Sequence, residues 1–409
     1  MNNTKISFII PSRNNLKYLQ QCVNSIIKCY GNKHDIVLLD DASDDGTLEW
    51  IQSLESNNFI KYRNDGPERL GHTILYDKGV ELSNTDVFTI FHADMICTKN
   101  YVENLLKNLK EKCVVSATRI EPPLHPPGPE KFVKMFGFEP EEFKTIEFEN
   151  FVSEKEIEFK NQTTNGIFAP WCMYKKDFQA IGGHDELFAP MELEDSDIFN
   201  RMYLAGYTLI QSRDAFVYHM TCRGSRFKNG LEIEAEIPMP DGTIWYKPKD
   251  SEEYKLLRQI KFKEWWRKWH QNVLHDTDMR PIVNNVYNIG LVVKNCTINI
   301  LTALEPWCDN IYIEDMNLAN EYILREQPNT KFILNNRVKN INNISENDVL
   351  IEFDGKLFGQ SQFDFIQNLS EVLKDSAEVG IMEYDIFKLT INSLDTYEKT
   401  LINCKTNII

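Results

Sequence analysis

The sequence predicts an α/β fold, a Rossmann-like and mostly parallel sheet followed by a second, smaller α/β region. Three observations carry this. Short apolar runs alternate with segments of helical period through the first half. Clusters of Ser, Asp, Asn and Gly follow the apolar runs, at the strand ends where ligands bind in such sheets. After a long interruption the same alternation resumes near residue 289.

Residues 6–10 are nearly all apolar and read as a buried strand, and residues 16–29 place Leu19, Val23, Ile26 and Ile27 on one helical face. A second strand covers 36–39, and the turn Asp44-Asp45-Gly46 opens a helix over 47–54. A helix over 74–82 precedes a strand over 87–91 that runs into His92-Ala93-Asp94. A helix over 101–110 and a strand over 114–118 complete this stretch. Pro122, Pro123, Pro126, Pro127 and Pro129 then interrupt regular structure. Residues 119–160 are too rich in Phe for a disordered linker, so an ordered insertion or lid beside the site is expected.

Regular patterning resumes over 166–183 and continues through a helix opening near Ser196, which Ala205-Gly206 closes. Residues 223–250 read as loop, and 254–273 as one long helix carrying Trp265, Trp266 and Trp269. The second region holds strands over 289–293, 311–313, 332–334 and 349–353, and a helix over 363–374. Residues 347–354 echo 85–92, and Ile313-Glu314-Asp315 echoes Leu39-Asp40-Asp41. An internal duplication and the general likeness of any two strand–helix units both explain the echo. A duplication places Lys356 where Asp94 stands in the first copy. The expected domains are 1–230, a loop and Trp-rich connector over 231–280, and 281–409 without a readable role.

Composition bounds the function. The chain of 409 residues is 42% hydrophobic, enough to build cores and too apolar for a disordered chain. Its 45 basic and 61 acidic residues give a net charge of −16, which excludes bulk attraction to nucleic-acid phosphates. The nine cysteines include no C-x-x-C pair, which points to reduced thiols in a cytosolic setting. The first apolar run stops at Pro11, too short for a signal-peptide core, and no apolar stretch is long enough to span a membrane. A cytoplasmic protein is expected. Lys261, Lys263, Arg267 and Lys268 interleave with the tryptophans, which leaves peripheral membrane contact as a minor alternative.

Three groups of residues carry chemistry. The first is Pro11-Ser12-Arg13-Asn14 with Asp40-Asp41-Ala42-Ser43-Asp44-Asp45-Gly46, whose carboxylates at adjoining strand ends can accept hydrogen bonds from a base and ribose. Taken alone, turn and cap chemistry explains them equally well. The second is His92-Ala93-Asp94, two potential ligands at i and i+2 where a strand frays into loop. The third is Glu192-Leu193-Glu194-Asp195-Ser196-Asp197 entering a helix, after Gly182-Gly183-His184-Asp185-Glu186 and before His219. A carboxylate at a helix N-terminus is held ionised and in place, as a base for a hydroxyl must be.

In this order the groups resemble the family-2 glycosyltransferases of GT-A fold, which transfer sugars from nucleotide-sugar donors. The resemblance spans residues 5–225. It rests on Ile9-Ile10-Pro11-Ser12-Arg13-Asn14, on Asp40-Asp41-Ala42-Ser43-Asp44-Asp45-Gly46-Thr47, and on Gly71, Asp77 and Gly79, where Asp77 replaces the family's Asn. His92-Ala93-Asp94 stands in place of the Asp-x-Asp metal motif. Glu194-Asp195-Ser196-Asp197 matches the Glu-Asp-x-Asp motif, followed by Ala205-Gly206-Tyr207.

The resemblance implies Asp195 as the base that deprotonates an acceptor hydroxyl, with Glu194 on the acceptor side. It implies that Asp94 and His219, with His92 in the altered position, hold Mn²⁺ or Mg²⁺ on a nucleoside diphosphate. Asp40 or Asp41 would bind the nucleoside, with Pro11, Ser12, Arg13, Asn14 and Asp77 around the donor. Arg223 and Arg226, from charge and position alone, are candidates to pin the leaving phosphates. Trp171 is a candidate platform for an acceptor sugar, a core tryptophan being the other reading. The expected partners are a nucleoside-diphosphate sugar and a hydroxyl acceptor such as a glycan, a lipid-linked glycan or a protein. A degenerate binding module without turnover is the alternative. A nucleotidyltransferase is disfavoured because no glycine-rich loop follows the first strand.

Overall fold

The computed structural model describes residues 4–221, 226–227, 230–239, 242–376 and 378–403. The chain divides into two compact units, residues 1–256 with 275–281, and residues 257–274 with 282–409.

The first unit opens with β1 (Ser7–Ser12), α1 (Leu16–Tyr30), β2 (Asp35–Asp41), α2 (Thr47–Ser53), β3 (Phe59–Asn64), α3 (Gly71–Leu82) and β4 (Val87–Ile90). Every residue of β1, β2 and β4 is buried, the signature of parallel strands covered on both faces. The helical face of α1 buries Leu19, Cys22, Val23 and Ile26 against those strands. Next come β5 (Met95–Cys97), α4 (Tyr101–Leu106), β6 (Cys113–Glu121), β7 (Lys131–Val133) and α5 (Thr145–Glu158). They lead to β8 (Thr163–Thr164), β9 (Trp171–Tyr174), α6 (Lys175–Ala180), α7 (Glu194–Leu204) and β10 (Thr208–His219). An antiparallel hairpin, β11 (Ile233–Pro238) with β12 (Ile244–Pro248), follows where the sequence read only as loop.

The sheet runs β3-β2-β1-β4-β9-β6-β10-β5, with β7 on β6 and β8 on β10. β1 pairs in parallel with β2 on one side and β4 on the other, so successive connections leave it in opposite directions. A crevice therefore opens at the carboxyl ends of β1, β2 and β4. The Pro-rich segment is ordered: β7 pairs with β6, and α5 buries Phe148 and Val152.

α8 (Glu252–Trp269) has its residues 257–269 in the second unit. There Trp265 and Trp269 are buried, and Trp266 stacks on Trp307 at 5.0 Å. Lys261, Arg267 and Lys268 are buried, and Arg267 is ion-paired with Glu264, Glu305 and Glu326. Among the described residues no helix is long and apolar enough to cross a membrane.

The second unit continues with β13 (Ile289–Lys294), α9 (Ile298–Leu304), β14 (Asn310–Ile313), α10 (Met316–Glu326), α11 (Leu334–Arg337) and β15 (Val338–Asn340). It ends with β16 (Val349–Asp354), α12 (Gln360–Gln367), α13 (Leu369–Ser376), β17 (Gly380–Tyr384) and β18 (Phe387–Ile391). The strand expected over 332–334 is instead the approach to α11, and β15 starts four residues past Leu334. The order is β15-β14-β13-β16-β18-β17.

This order repeats β3-β2-β1-β4-β9 in both sequence and sense. β13 is parallel to β14 and β16, and β16 is antiparallel to β18, as β1 is to β2 and β4, and β4 to β9. Laying 347–354 on 85–92 makes the pair Val292↔Glu352 the counterpart of Ile9↔Ile90. The same frame puts Gly290↔Asn310 on Ser7↔Asp35, so Asp315 falls on Asp40, one residue from the echo read in the sequence.

Candidate functional site

A cavity of about 650 Å³ lies at the carboxyl ends of the first unit's strands. Pro11, Ser12 and Arg13 reach it from the end of β1, Asp41 from β2, and His92 and Asp94 from the loop after β4. His219 enters from the far end of β10, because β10 runs antiparallel to β5 with His219 opposite Met95. The Met220 N–H donates to the Asp94 carbonyl at 3.0 Å and closes that corner. The lid expected from the prolines is in place as wall: Pro126, Pro127, Gly128 and Pro129 line the cavity.

His92, Asp94 and His219 bring one ligand atom each to within 4.8 Å of the others. His219 Nε2 lies 3.4 Å from Asp94 Oδ1, and its Nδ1 lies 2.9 Å from Glu121 Oε1. Burial depresses the pKa of His92 to about 3, and His219 adds to the effect, so His92 is a neutral imidazole with a lone pair to offer. Burial opposes the charged form of His219, yet Asp94 and Glu121 together raise its pKa. Two imidazoles and one carboxylate at this spacing fit one divalent cation, with a leaning toward Mn²⁺ and the later transition metals over Mg²⁺.

The acids that end β2 serve the neighbouring loops more than the cavity. Asp40 is fully buried, accepting from the Ser43 N–H at 3.1 Å and from Arg63 Nη1 at 2.6 Å, so it is not available to a nucleoside. Asp41 does line the cavity, but its carboxylate accepts from Asn64 Nδ2 at 2.8 Å, the Leu70 N–H at 3.0 Å and the Gly71 N–H at 2.8 Å. Gly71 has φ +80°, and any side chain there would overlap the Pro190 backbone. Asn14 is exposed and clasps Ser43 and Asp44, away from the cavity wall. Asp77 does not line the cavity; it holds the His184 N–H and Nδ1, the latter at 2.7 Å, beside the Gly183 turn.

α7 begins at Glu194 after two successive left-handed non-glycine residues, Glu192 at φ 83° and Leu193 at φ 68°. Each costs on the order of 1 kcal/mol or more, a strain that gathers at functional turns. Met191 and Glu192 line the cavity, whereas Glu194 and Asp195 do not. Burial and then the charge of Glu194 raise the pKa of Asp195 to about 6, against the pull of His184, His72 and the Trp171 indole. Glu194 Oε1 lies 2.6 Å from Nε2 of His72, a cavity residue whose ring stacks on His92 at 6.5 Å and 11°.

Trp171 is 0% exposed and packs on Phe88, Phe178 and Phe199. It is a core residue, and the acceptor-platform reading is withdrawn. Arg226 does line the cavity, paired with Asp250, while Arg223 lies outside the described residues. The residues that sequence reasoning missed are His72, Arg119, Glu121, Glu130, Lys131 and Phe168, all on the wall. Arg119, Glu121 and Lys131 meet through the pairing of β6 with β7, and His72 comes from α3.

Residues 7–179 match the family model described as Glycosyl transferase family 2. Glycosyltransferase GlyG of Streptococcus pneumoniae serotype 4 is 28% identical over 108 residues, 26% of this chain and 36% of that protein. Among solved structures, GalNAc-T7 with UDP, GalNAc and Mn²⁺ is 16% identical with a TM-score of 0.40, over 53% of this chain and 44% of that one. The mannosyltransferase PcManGT from Pyrobaculum calidifontis, in complex with GDP-Man and Mn²⁺, is 15% identical with a TM-score of 0.39, over 64% and 63%. The chain spans about a third of the curated relative's length. Residues 7–179 are thus a family 2 glycosyl transferase segment.

Proposed function

We propose, with the family 2 segment as premise, that residues 1–230 form a GT-A catalytic domain. It moves a sugar, with inversion, from a nucleoside-diphosphate sugar to a hydroxyl acceptor. The observation that carries the proposal is the convergence of His92, Asp94 and His219 on one cavity wall, at the switch point between β2 and β4. These three residues would hold a divalent cation, which when bound neutralises charge on the donor diphosphate.

In this reading the donor nucleoside lies along Pro11, Ser12, Arg13 and Asp41, with Arg226 near its phosphates. Asp195 takes the acceptor hydroxyl proton onto a carboxylate oxygen. The acceptor oxygen forms its bond to the anomeric carbon as the bond from that carbon to the diphosphate oxygen breaks, and the nucleoside diphosphate departs. A base whose pKa is about 6 is ionised at neutral pH yet basic enough to share a proton in the transition state.

A second reading, a glycan- or nucleotide-binding module without turnover, is favoured by one observation: Asp195 is not on the cavity wall. Incubating the protein with Mn²⁺ and a panel of nucleotide sugars separates the two. Release of nucleoside diphosphate, by transfer or by slow hydrolysis, supports the transferase. Binding by thermal shift with no release from any donor supports the module.

A further inference from the structure

We infer that Glu121 is a positioning residue for the metal site: it fixes the ring of His219 so that Nε2 faces Asp94 and His92. The inference rests on the metal role just proposed for His92, Asp94 and His219. An imidazole offers two nitrogens, and the one that donates a hydrogen bond decides which is left to ligate. Glu121 Oε1 lies 2.9 Å from Nδ1 of His219, which sets Nδ1 as the donor and Nε2 as the free lone pair. Nε2 then points into the cluster, 3.4 Å from Asp94 Oδ1, with the His92 ring edge-on at 5.2 Å and 76°.

Strand pairing explains how two residues so distant in sequence meet. β6 and β10 run parallel with Tyr218 opposite Ile120, so the next step along both strands sets His219 beside Glu121. The carboxylate is itself held. Arg119 Nη1 lies 3.1 Å from Glu121 Oε1, and Lys131 Nζ lies 3.0 Å from Oε2. Glu130 balances both cations, at 3.1 Å from Arg119 and 3.4 Å from Lys131. Arg119 and Lys131 are opposite one another in the β6–β7 pair, so the box of two cations and two anions stands on backbone register. Glu121 is only 1% exposed. A buried carboxylate needs such partners to remain ionised, and an ionised carboxylate behind a ligating imidazole orients it and strengthens its donor nitrogen.

Glu130 provides the control, since it belongs to the same box and does not touch His219. Binding of Mn²⁺ alone to the full chain is measured by isothermal titration for wild type, Glu121→Gln, Glu121→Asp and Glu130→Gln. Glu121→Asp keeps the charge but shortens the reach, which guards against a misfolded Gln variant. The expected result is a Kd raised about 10- to 100-fold in both Glu121 variants, with Glu130→Gln within about threefold of wild type. Wild-type affinity in the Glu121 variants overturns the inference, as does an equal loss in Glu130→Gln, because the box would then be structural only. Wild-type protein that itself binds no Mn²⁺ overturns the metal reading beneath it, and that outcome is visible before any substitution is made.

Discussion

His219 Nε2 stands 3.4 Å from Asp94 Oδ1, although one ends β10 and the other follows β4. If this pair and His92 hold one ion, Mn²⁺ raises the unfolding midpoint of the first unit. At a hundredfold excess over Kd the stabilisation is about 2.7 kcal/mol. Asp94→Ala and His219→Ala lose the shift, and EDTA reverses it in wild type. An undiminished shift in both variants places the ion elsewhere.

The carboxyl of Asp195 titrates near pH 6, raised first by burial and next by the charge of Glu194. In the role of base proposed for Asp195 only the ionised form accepts a proton, so kcat is expected to be full above that pH and to fall as pH drops through about 6. Glu194→Gln removes the neighbouring charge that disfavours ionisation. The acid limb of its pH–rate profile therefore moves to lower pH. A limb that stays in place, or moves up, separates the titration from Asp195.

Trp171 fills the core between β9 and α6, so its loss is a packing defect. Trp171→Ala costs about 3–5 kcal/mol in denaturant unfolding of the first unit. A cost under about 1 kcal/mol contradicts the core assignment.

In the second unit Glu305 is buried between Arg267, at 2.7 Å, and Arg337, at 2.6 Å. Burial alone would raise its pKa, but the two guanidinium groups bring it down to about 2. The sign follows: a depressed acid contributes stability above its unfolded pKa near 4.3, and loses it as pH falls toward 2. That contribution is about 3 kcal/mol at neutral pH. Glu305→Ala takes from buried Arg337 the carboxylate it pairs with, and from Arg267 one of three, and costs about 3–5 kcal/mol, read as a lower unfolding midpoint of that unit.

Much of this molecule was legible because its chemistry is local. The runs that became β1, β2 and β4 are apolar on both faces, and the turns after them are short and polar. His92 and Asp94 were visible for the same reason, sitting two residues apart at a strand end. His219 could be named only through the family resemblance, because its place depends on β10 pairing with the three-residue strand β5. Glu121 and His72 had no signal at all, since register and helix packing create their roles. For Asp40, Asn14 and Asp77 a sequence cannot distinguish a polar side chain facing a ligand from one bound to another part of the chain. The hairpin over 233–248 was hidden by its Pro and Gly residues, which marked the turns but masked two short, largely exposed strands.

Turnover of Asp195→Asn, measured beside its donor affinity, tests the proposed chemistry most directly. With the carboxamide unable to take the acceptor proton, kcat falls by about 10²- to 10⁴-fold, while Kd for the nucleotide sugar with Mn²⁺ stays within about threefold. Wild-type turnover in Asp195→Asn contradicts the assignment of the base and, with it, the proposed route of transfer.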